Sequence, residues 1–245
     1  MTRAPDPALP PPGRAAFLLD VDGTLLDIAP TPESVVVPPG LLADLAALRE
    51  RVGGALAVVT GRPIAQIDAL LPNTPHAIAG EHGGATRHAP GAPVRHAELA
   101  AIPPAWREAA ARIAAAHPGA RVEEKRRGLV LHFRAAPEHG PALHAALSEL
   151  LAPEADAFHL LGAKMAWEIR PAGADKGSAV RALMAEPPFA GRLPVFVGDD
   201  TTDEDGIAAA IDLGGVGLRV PEAFGDPDGV RAWIARLARS GWAGG

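Results

Sequence analysis

With 245 residues, the chain is long enough for one large domain or for two unequal ones. Apolar residues make up 48% and charged residues 21%, which excludes a largely disordered chain. The net charge of −6 argues against a broad basic surface for nucleic acid, and the lack of cysteine excludes disulfides and thiolate metal sites. No apolar run approaches the ~20 residues of a membrane-spanning helix. Segment 1–13 is Pro-rich and lacks the apolar centre of a signal peptide, so we expect a disordered leader and a cytoplasmic protein.

The first part of the chain alternates buried strands with helices. Strands are predicted at 15–22, 55–60 and 76–80, and helices at 39–51 and 63–71. The alternation returns later, with helices at 176–185, 202–210 and 229–239 and strands at 193–198 and 213–220. Continuous apolar strands separated by helices predict an α/β core, a Rossmann-like parallel sheet covered on both faces.

The middle of the chain follows another pattern. Its predicted order is helix, two strands, helix, two strands, at 104–116, 120–124, 128–134, 138–151, 157–161 and 165–170. This order predicts a small antiparallel sheet backed by two helices. We therefore expect an α+β cap domain at 88–171, inserted into a core domain of 14–87 and 172–245.

The stretch FLLDVDGTLLD, residues 17–27, drives a buried strand into two aspartates, Asp20 and Asp22. An acid pair at a strand end is often only a solvated corner, and Asp-Gly is a common turn signal. That explanation fits Asp22 but not Asp20, which directly follows an apolar run. Two carboxylates this close repel each other unless a positive charge lies between them, and hard carboxylate oxygens select Mg²⁺ or Ca²⁺. The pair alone leaves both explanations open.

Other polar residues lie at the ends of other core elements. Thr60 ends the second strand, Asp199 follows a later strand, and Lys176 begins the helix before that strand. In an open parallel sheet the ligand binds beyond the carboxyl ends of the strands, so these residues are expected to meet Asp20 and Asp22. Several carboxylates with one hydroxyl and one ammonium are the inventory of a Mg²⁺-dependent phosphoryl-transfer site.

The chemistry of such a site suggests a role for each residue. Asp20 can attack phosphorus, and Asp22 can protonate the leaving alkoxide and later deprotonate water. Mg²⁺ held by the Asp20 side chain, the Asp22 carbonyl and Asp199 would cancel the repulsion between nucleophile and phosphate. The remaining groups donate hydrogen bonds or positive charge to phosphate: Thr60, the backbone N–H groups around Gly23, and Lys176.

These motifs, in this order, resemble those of the haloacid dehalogenase superfamily. DVDGT at 20–24 resembles its first motif, DxDx[TV], while Thr60, Lys176 and GDDTTDED at 198–205 resemble the other three. The second aspartate is typical of phosphatases and mutases, whereas transport ATPases carry threonine there. The resemblance implies the haloacid dehalogenase fold, with a cap domain inserted in the parallel core.

Shorter motifs resemble the trehalose-6-phosphate phosphatase family of that superfamily. They are TGR at 60–62, AGEHG at 79–83, VEEK at 122–125, LHFR at 131–134, EIRP at 168–171 and DKG at 175–177. The resemblance implies hydrolysis of trehalose 6-phosphate with Mg²⁺, with Asp203 as a further metal-site residue, either behind the metal or bound to it. It also suggests trehalose-6-phosphate synthase as a partner, without deciding whether that enzyme hands over its product directly. Val21, Thr60 and Glu81 depart from common family residues, and Glu81 bears on substrate preference.

The inserted domain is expected to act as a lid that excludes water and reads the leaving group. Its polar residues occur in same-parity pairs along predicted strands, so each pair shares a sheet face. A solvated hairpin with cross-strand ion pairs is the alternative, and the resemblance favours sugar binding most for Glu123, Lys125 and Glu168. In the core, His82 is either a ligand or a satisfied loop histidine, and Arg62 either binds substrate or pairs with an acid behind the metal. The candidate substrate-binding residues are Gly23, Gly61, Arg62, His82, Glu123, Lys125, His132, Arg134, Glu168 and Arg170.

Three other functions stay open at this point. A related sugar phosphatase, acting on sucrose, mannosylglycerate or hexose phosphates, would share the mechanism and differ only in the lid. A phosphotransferase of phosphomannomutase type would pass phosphate between sugars and keep water from the aspartyl phosphate. A sugar-phosphate sensor with an inactive site is disfavoured, because the catalytic set is intact.

Overall fold

The computed structural model describes residues 8–29, 34–124, 128–163, 165–239 and 242. The described residues form two compact units, one that ends at Ala97 and resumes at Asp175, and a second that covers Glu98–Ala174. The sequence placed the insertion at 88–171. The second unit begins at residue 98 and not at the predicted residue 88. The reason is that two short strands after residue 84 still belong to the sheet of the first unit.

The first unit is built on a seven-stranded sheet. Its strands are β1 (Ala15–Leu19), β2 (Leu56–Val59), β3 (Ala77–Gly80), β4 (Ala85–Arg87), β5 (Arg95–His96), β10 (Leu193–Gly198) and β11 (Val216–Arg219). The order across the sheet is β11-β10-β1-β2-β3-β4-β5. Neighbours from β11 to β3 are parallel, whereas β4 and β5 are added antiparallel at one edge. The predicted parallel core is therefore confirmed, with an antiparallel edge that the sequence did not reveal.

Helices flank this sheet, and apolar contacts hold them there. The helices of the chain are α1 (Leu41–Arg51), α2 (Ile64–Leu70), α3 (Pro104–Ala115), α4 (Gly140–Leu151), α5 (Lys176–Met184), α6 (Glu204–Asp212), α7 (Val220–Ala223) and α8 (Pro227–Arg239). All five residues of β1 are fully buried, as expected for a central parallel strand. Helix α8 presents one apolar stripe to the same core, made by Val230, Trp233, Ile234 and Leu237.

The second unit is a four-stranded antiparallel sheet with two helices. Its strands are β6 (Arg121–Glu124), β7 (Leu129–His132), β8 (Phe158–Ala163) and β9 (Ala166–Pro171), in the order β6-β7-β9-β8. Leu129, Leu131 and Ile169 lie on its apolar face and form one core with side chains of α3 and α4. The predicted small antiparallel sheet backed by two helices is thus confirmed.

Residues 8–13 are ordered, although the sequence predicts disorder there. Residues 1–7 lie outside the described part of the chain, but 8–13 do not. Leu9 packs against the core of the first unit, and the Pro10 carbonyl accepts a hydrogen bond from Trp242 Nε1. The expectation of disorder for 1–13 therefore does not hold for 8–13, because these apolar residues have a surface to cover. No helix in the described ranges has the length and apolar character required to cross a bilayer.

Candidate active site

Three neighbouring strands of the parallel sheet end in polar residues. Asp20 follows β1, Thr60 follows β2, and Asp199 follows β10, and these strands are adjacent in the order β10-β1-β2. Asp20 is 4% exposed and Thr60 is 1% exposed, so neither is a solvated corner. The sequence predicted a strand that continues to Asp22, but β1 ends at Leu19. The chain then turns through Gly23, whose φ of 80° is a conformation that favours glycine.

Lys176 links the nucleophile candidate to a second buried acid. The lysine begins α5, and its Nζ lies 2.7 Å from Asp20 Oδ1 and 2.7 Å from Asp203 Oδ1. The helix start is held by a capping box, in which Asp175 and Ser178 exchange hydrogen bonds with each other's backbone. The local sequence DKGS thus places the ammonium group at the carboxyl edge of the sheet.

Asp203 is fully buried, and both of its oxygens are engaged. While Oδ1 accepts from Lys176, Oδ2 accepts the backbone N–H groups of Asp199 at 3.1 Å and Asp200 at 3.2 Å. A Cβ at Gly198 would lie 2.1 Å from Asp203 Cγ, so the carboxylate needs a glycine there. Asp203 therefore holds the loop that carries Asp199 and also orients Lys176.

Thr24 was not among the predicted site residues, although it belongs to the DVDGT motif. It is fully buried, and its hydroxyl lies 3.1 Å from Asp199 Oδ1 and 3.5 Å from Asp20 Oδ2. The shorter contact makes Asp199 the principal acceptor of its proton. A buried threonine two residues after an acid pair was the available signal, because a buried hydroxyl needs a partner.

The three aspartates form a group with the donor set of a metal site. One carboxylate oxygen from each of Asp20, Asp199 and Asp203 lies within 4.8 Å of the others. Burial, followed by repulsion among the acids, raises the pKa of Asp203 to about 7 and also raises that of Asp199. Burial raises the pKa of Asp20 to about 6 against the opposing effect of Lys176.

Lys176 balances only part of this negative charge. Burial opposes its charged form, but Asp20 and Asp203 outweigh that effect and raise its pKa to about 12. Three carboxylates against one ammonium leave an excess of negative charge in a buried place. A hard divalent cation with oxygen ligands fits this group.

The Asp22 side chain contacts Arg62 and is not part of the group formed by Asp20, Asp199 and Asp203 among the described residues. Its carboxylate accepts two hydrogen bonds from the guanidinium of Arg62, from Nε at 2.6 Å and from Nη2 at 2.7 Å. The metal-site prediction used the Asp22 carbonyl, and its side chain does not belong to the aspartate group found among the described residues. Arg62, predicted as a substrate ligand or an ion-pair partner, therefore pairs with the acid–base candidate.

Two loops of the candidate site are packed tightly together. The N–H of His82 donates to the Thr60 carbonyl at 2.9 Å, and a Cβ at Gly61 would lie 2.6 Å from His82 Nε2. Glu81 and His82 have φ of 52° and 56°, a left-handed conformation that costs non-glycine residues roughly 1–3 kcal/mol each. A side chain at position 61 would therefore displace the His82 ring.

The second unit carries most of the predicted sugar-binding residues. Glu123 lies opposite Val130, and Val130 lies opposite Glu168, so the two glutamates share one sheet face. His132 Nε2 lies 2.7 Å from Glu123 Oε2. A cavity of about 680 Å³ is lined by Gly119, Arg121, Val122, Glu123, His132, Arg134 and Ala135.

Two arginines of the second unit, Arg170 and Arg121, lie near these glutamates in the sheet. Arg170 is on β9 two residues from Glu168, which puts it on the same face. Arg121 lines the cavity although the sequence did not single it out. Lys125 lies outside the described residues.

The fold and this site define the class of protein. A parallel core with buried aspartates and a lysine beyond its strand ends, together with an inserted α+β unit, defines the haloacid dehalogenase fold. In agreement, the fold is similar to a haloacid dehalogenase-like hydrolase from Bacteroides thetaiotaomicron, with a TM-score of 0.62 and 15% identity over 91% of this chain and 99% of that one. It is also similar to trehalose-6-phosphate phosphatase of Aspergillus fumigatus, with a TM-score of 0.70 and 22% identity over 97% of this chain and 100% of that one.

Sequence comparison identifies the family. The trehalose-phosphatase family profile matches residues 18–214, so the chain belongs to the trehalose-phosphatase family. A probable trehalose-phosphate phosphatase of Sinorhizobium fredii is 39% identical, covering 91% of this chain and 87% of that protein. Trehalose-6-phosphate phosphatase of Escherichia coli is 38% identical, and the match covers 84% of this chain and 77% of the E. coli protein. A bifunctional trehalose-6-phosphate synthase/phosphatase of Thermoproteus tenax is 38% identical over 78% of this chain and 26% of its own length.

Family membership confirms two predictions made from the sequence motifs. The chain belongs to the family that the short motifs resembled, and that family places it among phosphoric monoester hydrolases. The roles of individual site residues stay predictions.

Proposed function

We propose that the chain hydrolyses trehalose 6-phosphate to trehalose and inorganic phosphate, as a Mg²⁺-dependent enzyme of trehalose biosynthesis. The observation that carries the proposal is the buried contact of Lys176 with Asp20 and Asp203, beside Asp199 at the carboxyl edge of the parallel sheet. The names of the E. coli and S. fredii relatives support the choice of substrate.

The Asp20 and Asp199 side chains, together with the Asp22 carbonyl, would hold the cation. Asp203 would support it from behind, since its oxygens already accept from Lys176 and from two backbone N–H groups. When bound, Mg²⁺ supplies the positive charge that lets an anionic side chain approach an anionic phosphoester.

The protein groups then divide the reaction into two steps. In the first, an Asp20 oxygen bonds to phosphorus as the ester P–O bond breaks, and Asp22 gives its proton to the departing trehalose oxygen. In the second, water attacks the aspartyl phosphate, Asp22 takes its proton, and phosphate leaves with Asp20 restored. Lys176 holds Asp20 in place, and Thr60 with the N–H groups near Gly23 donates to phosphate oxygens.

We propose that the substrate is bound by the residues that the sequence motifs indicated. The cavity in the second unit supports this, because its volume is in the range of small-molecule sites and its polar groups can bond sugar hydroxyls. Its lining includes Glu123, His132 and Arg134, and Glu168 shares a sheet face with Glu123. The proposed set is Gly23, Gly61, Arg62, His82, Glu123, Lys125, His132, Arg134, Glu168 and Arg170.

Trehalose-6-phosphate synthase is proposed as a partner. The T. tenax relative, which carries both activities in one chain, supports an association between them. A pull-down with the synthase from the same genome tests it, and free diffusion of both proteins in sedimentation would contradict it.

The test of the function is phosphate release from a panel of esters. We expect kcat/KM for trehalose 6-phosphate to exceed that for glucose 6-phosphate, sucrose 6-phosphate and mannosylglycerate phosphate by orders of magnitude. EDTA should abolish release, and Mg²⁺ should restore it. A higher kcat/KM for another ester would show that this ester is the substrate. An isomerised sugar phosphate without free phosphate would indicate a mutase.

A further inference from the structure

The guanidinium of Arg62 holds the carboxylate of Asp22 in one orientation. Arg62 contacts both of its oxygens with two different nitrogens, at 2.6 and 2.7 Å. Such a planar two-point contact fixes the plane of the carboxylate as well as its position. The Arg62 side chain is only 11% exposed, although that of Asp22 is 36% exposed.

Arg62 is itself held along its length. Its backbone N–H donates to Thr60 Oγ1 at 3.2 Å, and its carbonyl accepts from the Glu81 N–H at 3.1 Å. Its Nη1 donates to Gln66 Oε1 at 3.1 Å. The guanidinium therefore lies between the Asp22 carboxylate, which belongs to the proposed chemistry, and the Gln66 side chain, which does not.

The location of Gln66 suits this contact. Arg62 lies two residues before α2, and Gln66 lies in the first turn of that helix, so the short connection through Pro63 brings the two side chains within hydrogen-bond distance. The Gln66 carbonyl limits rotation of the guanidinium about its own axis, and that rotation would break the two-point contact with Asp22.

We propose that Gln66 is a positioning residue for the phosphatase reaction. It acts through Arg62 on the direction of the Asp22 carboxylate, and it lies outside every motif by which the family was recognised. This inference rests on the proposed acid–base function of Asp22. An acid transfers its proton efficiently only from within hydrogen-bond reach of the leaving oxygen, so a misdirected carboxylate slows the loss of poor leaving groups most.

The experiment uses a series of aryl phosphates, from p-nitrophenyl to phenyl phosphate, with trehalose 6-phosphate measured in parallel. Asp22→Asn calibrates the series, because loss of the acid should steepen the fall of kcat with leaving-group pKa. Gln66→Ala is expected to lower kcat about fivefold on phenyl phosphate and less than about twofold on p-nitrophenyl phosphate. Gln66→Glu, which keeps an acceptor oxygen in place, should restore the wild-type slope.

A control variant on the same helix separates positioning from general loosening of α2. Asp68 pairs through both oxygens with Arg87, away from Asp22, so Asp68→Asn should lower the melting temperature and leave the slope unchanged. An unchanged slope in Gln66→Ala, or the same steepening in Asp68→Asn, would overturn the proposal. If Asp22→Asn left the dependence of kcat on leaving-group pKa unchanged, Asp22 would not be the general acid and the inference about Gln66 would fail with it. If the aryl phosphates gave the expected slopes but trehalose 6-phosphate were hydrolysed poorly, only the proposed substrate would be wrong.

Discussion

Replacing Asp20 by asparagine should abolish turnover and, without metal, make the protein more stable. Asp20 is 4% exposed and lies beside two other carboxylates, with Lys176 as its ion-pair partner among the described residues. Asparagine has nearly the same shape and no charge. It resembles the protonated acid, which cannot attack phosphorus but is favoured by this environment.

The magnitude follows from the pKa of the carboxyl. Burial raises the pKa of Asp20 from 3.8 to about 6, which corresponds to about 3 kcal/mol of unfavourable free energy for the charged form at neutral pH. This pKa already includes the favourable contact with Lys176, and an amide copies the protonated acid only approximately, so we expect a net gain of roughly 1–3 kcal/mol. For a chain of this length each kcal/mol corresponds to about 2–4 °C in melting temperature.

The assay is thermal unfolding of wild type and Asp20→Asn at pH 7.5 in EDTA and in saturating Mg²⁺. The variant should melt higher in EDTA. In Mg²⁺ the difference should shrink or reverse, because a ligand at a hundred times its Kd stabilises the folded wild type by about 2.7 kcal/mol. Asp212→Asn is the matched control, since its partner Arg181 is exposed and such pairs contribute little.

Two results would refute this reasoning. If Asp20→Asn were less stable than wild type in EDTA, the buried charge would not be the source of strain in the site. If phosphate release from trehalose 6-phosphate stayed near the wild-type rate, Asp20 would not be the nucleophile.

Three further predictions concern the same core. Lys176→Met should reduce kcat by at least about a thousandfold and destabilise the fold by about 3–5 kcal/mol in urea titrations, because it leaves buried carboxylates without their ammonium. Gly61→Ala should lower kcat/KM about tenfold in phosphate-release assays, because the new Cβ would lie 2.6 Å from the His82 ring. The control is Gly13→Ala, which should be neutral because a Cβ at Gly13 would meet no atom within 4 Å. Burial lowers the pKa of His76, so the unfolded state binds the extra proton and the contribution of His76 to the free energy of unfolding should fall as pH drops below 6.5. Asp20 and Asp203, whose pKa values are raised, contribute in the opposite direction over the same pH range, so the measurement is the difference between wild type and His76→Gln. From pH 7.5 to 5.5 the urea midpoint of wild type should fall relative to that of His76→Gln, and the same change in both proteins would contradict the prediction.

Much of the architecture could be predicted because the local patterns are strong. Continuous apolar segments such as AAFLL and LPVFVG have the composition of central parallel strands, and all of the first and most of the second are buried. The short strands ATR and RH were not predicted, because they are polar and only two or three residues long. They form only because the edge of β3 offers unpaired backbone groups.

By itself, the sequence determined which residues gather at the active edge. Parallel strands share their carboxyl ends, so polar residues placed directly after strands, such as Asp20, Thr60 and Asp199, must lie at one side of the sheet. Only the tertiary structure decided which atoms pair there. Contacts such as Arg62 with Asp22, or Thr24 with Asp199, join residues 40 and 175 positions apart. No local pattern contains them, because they depend on how separate loops pack above the finished sheet.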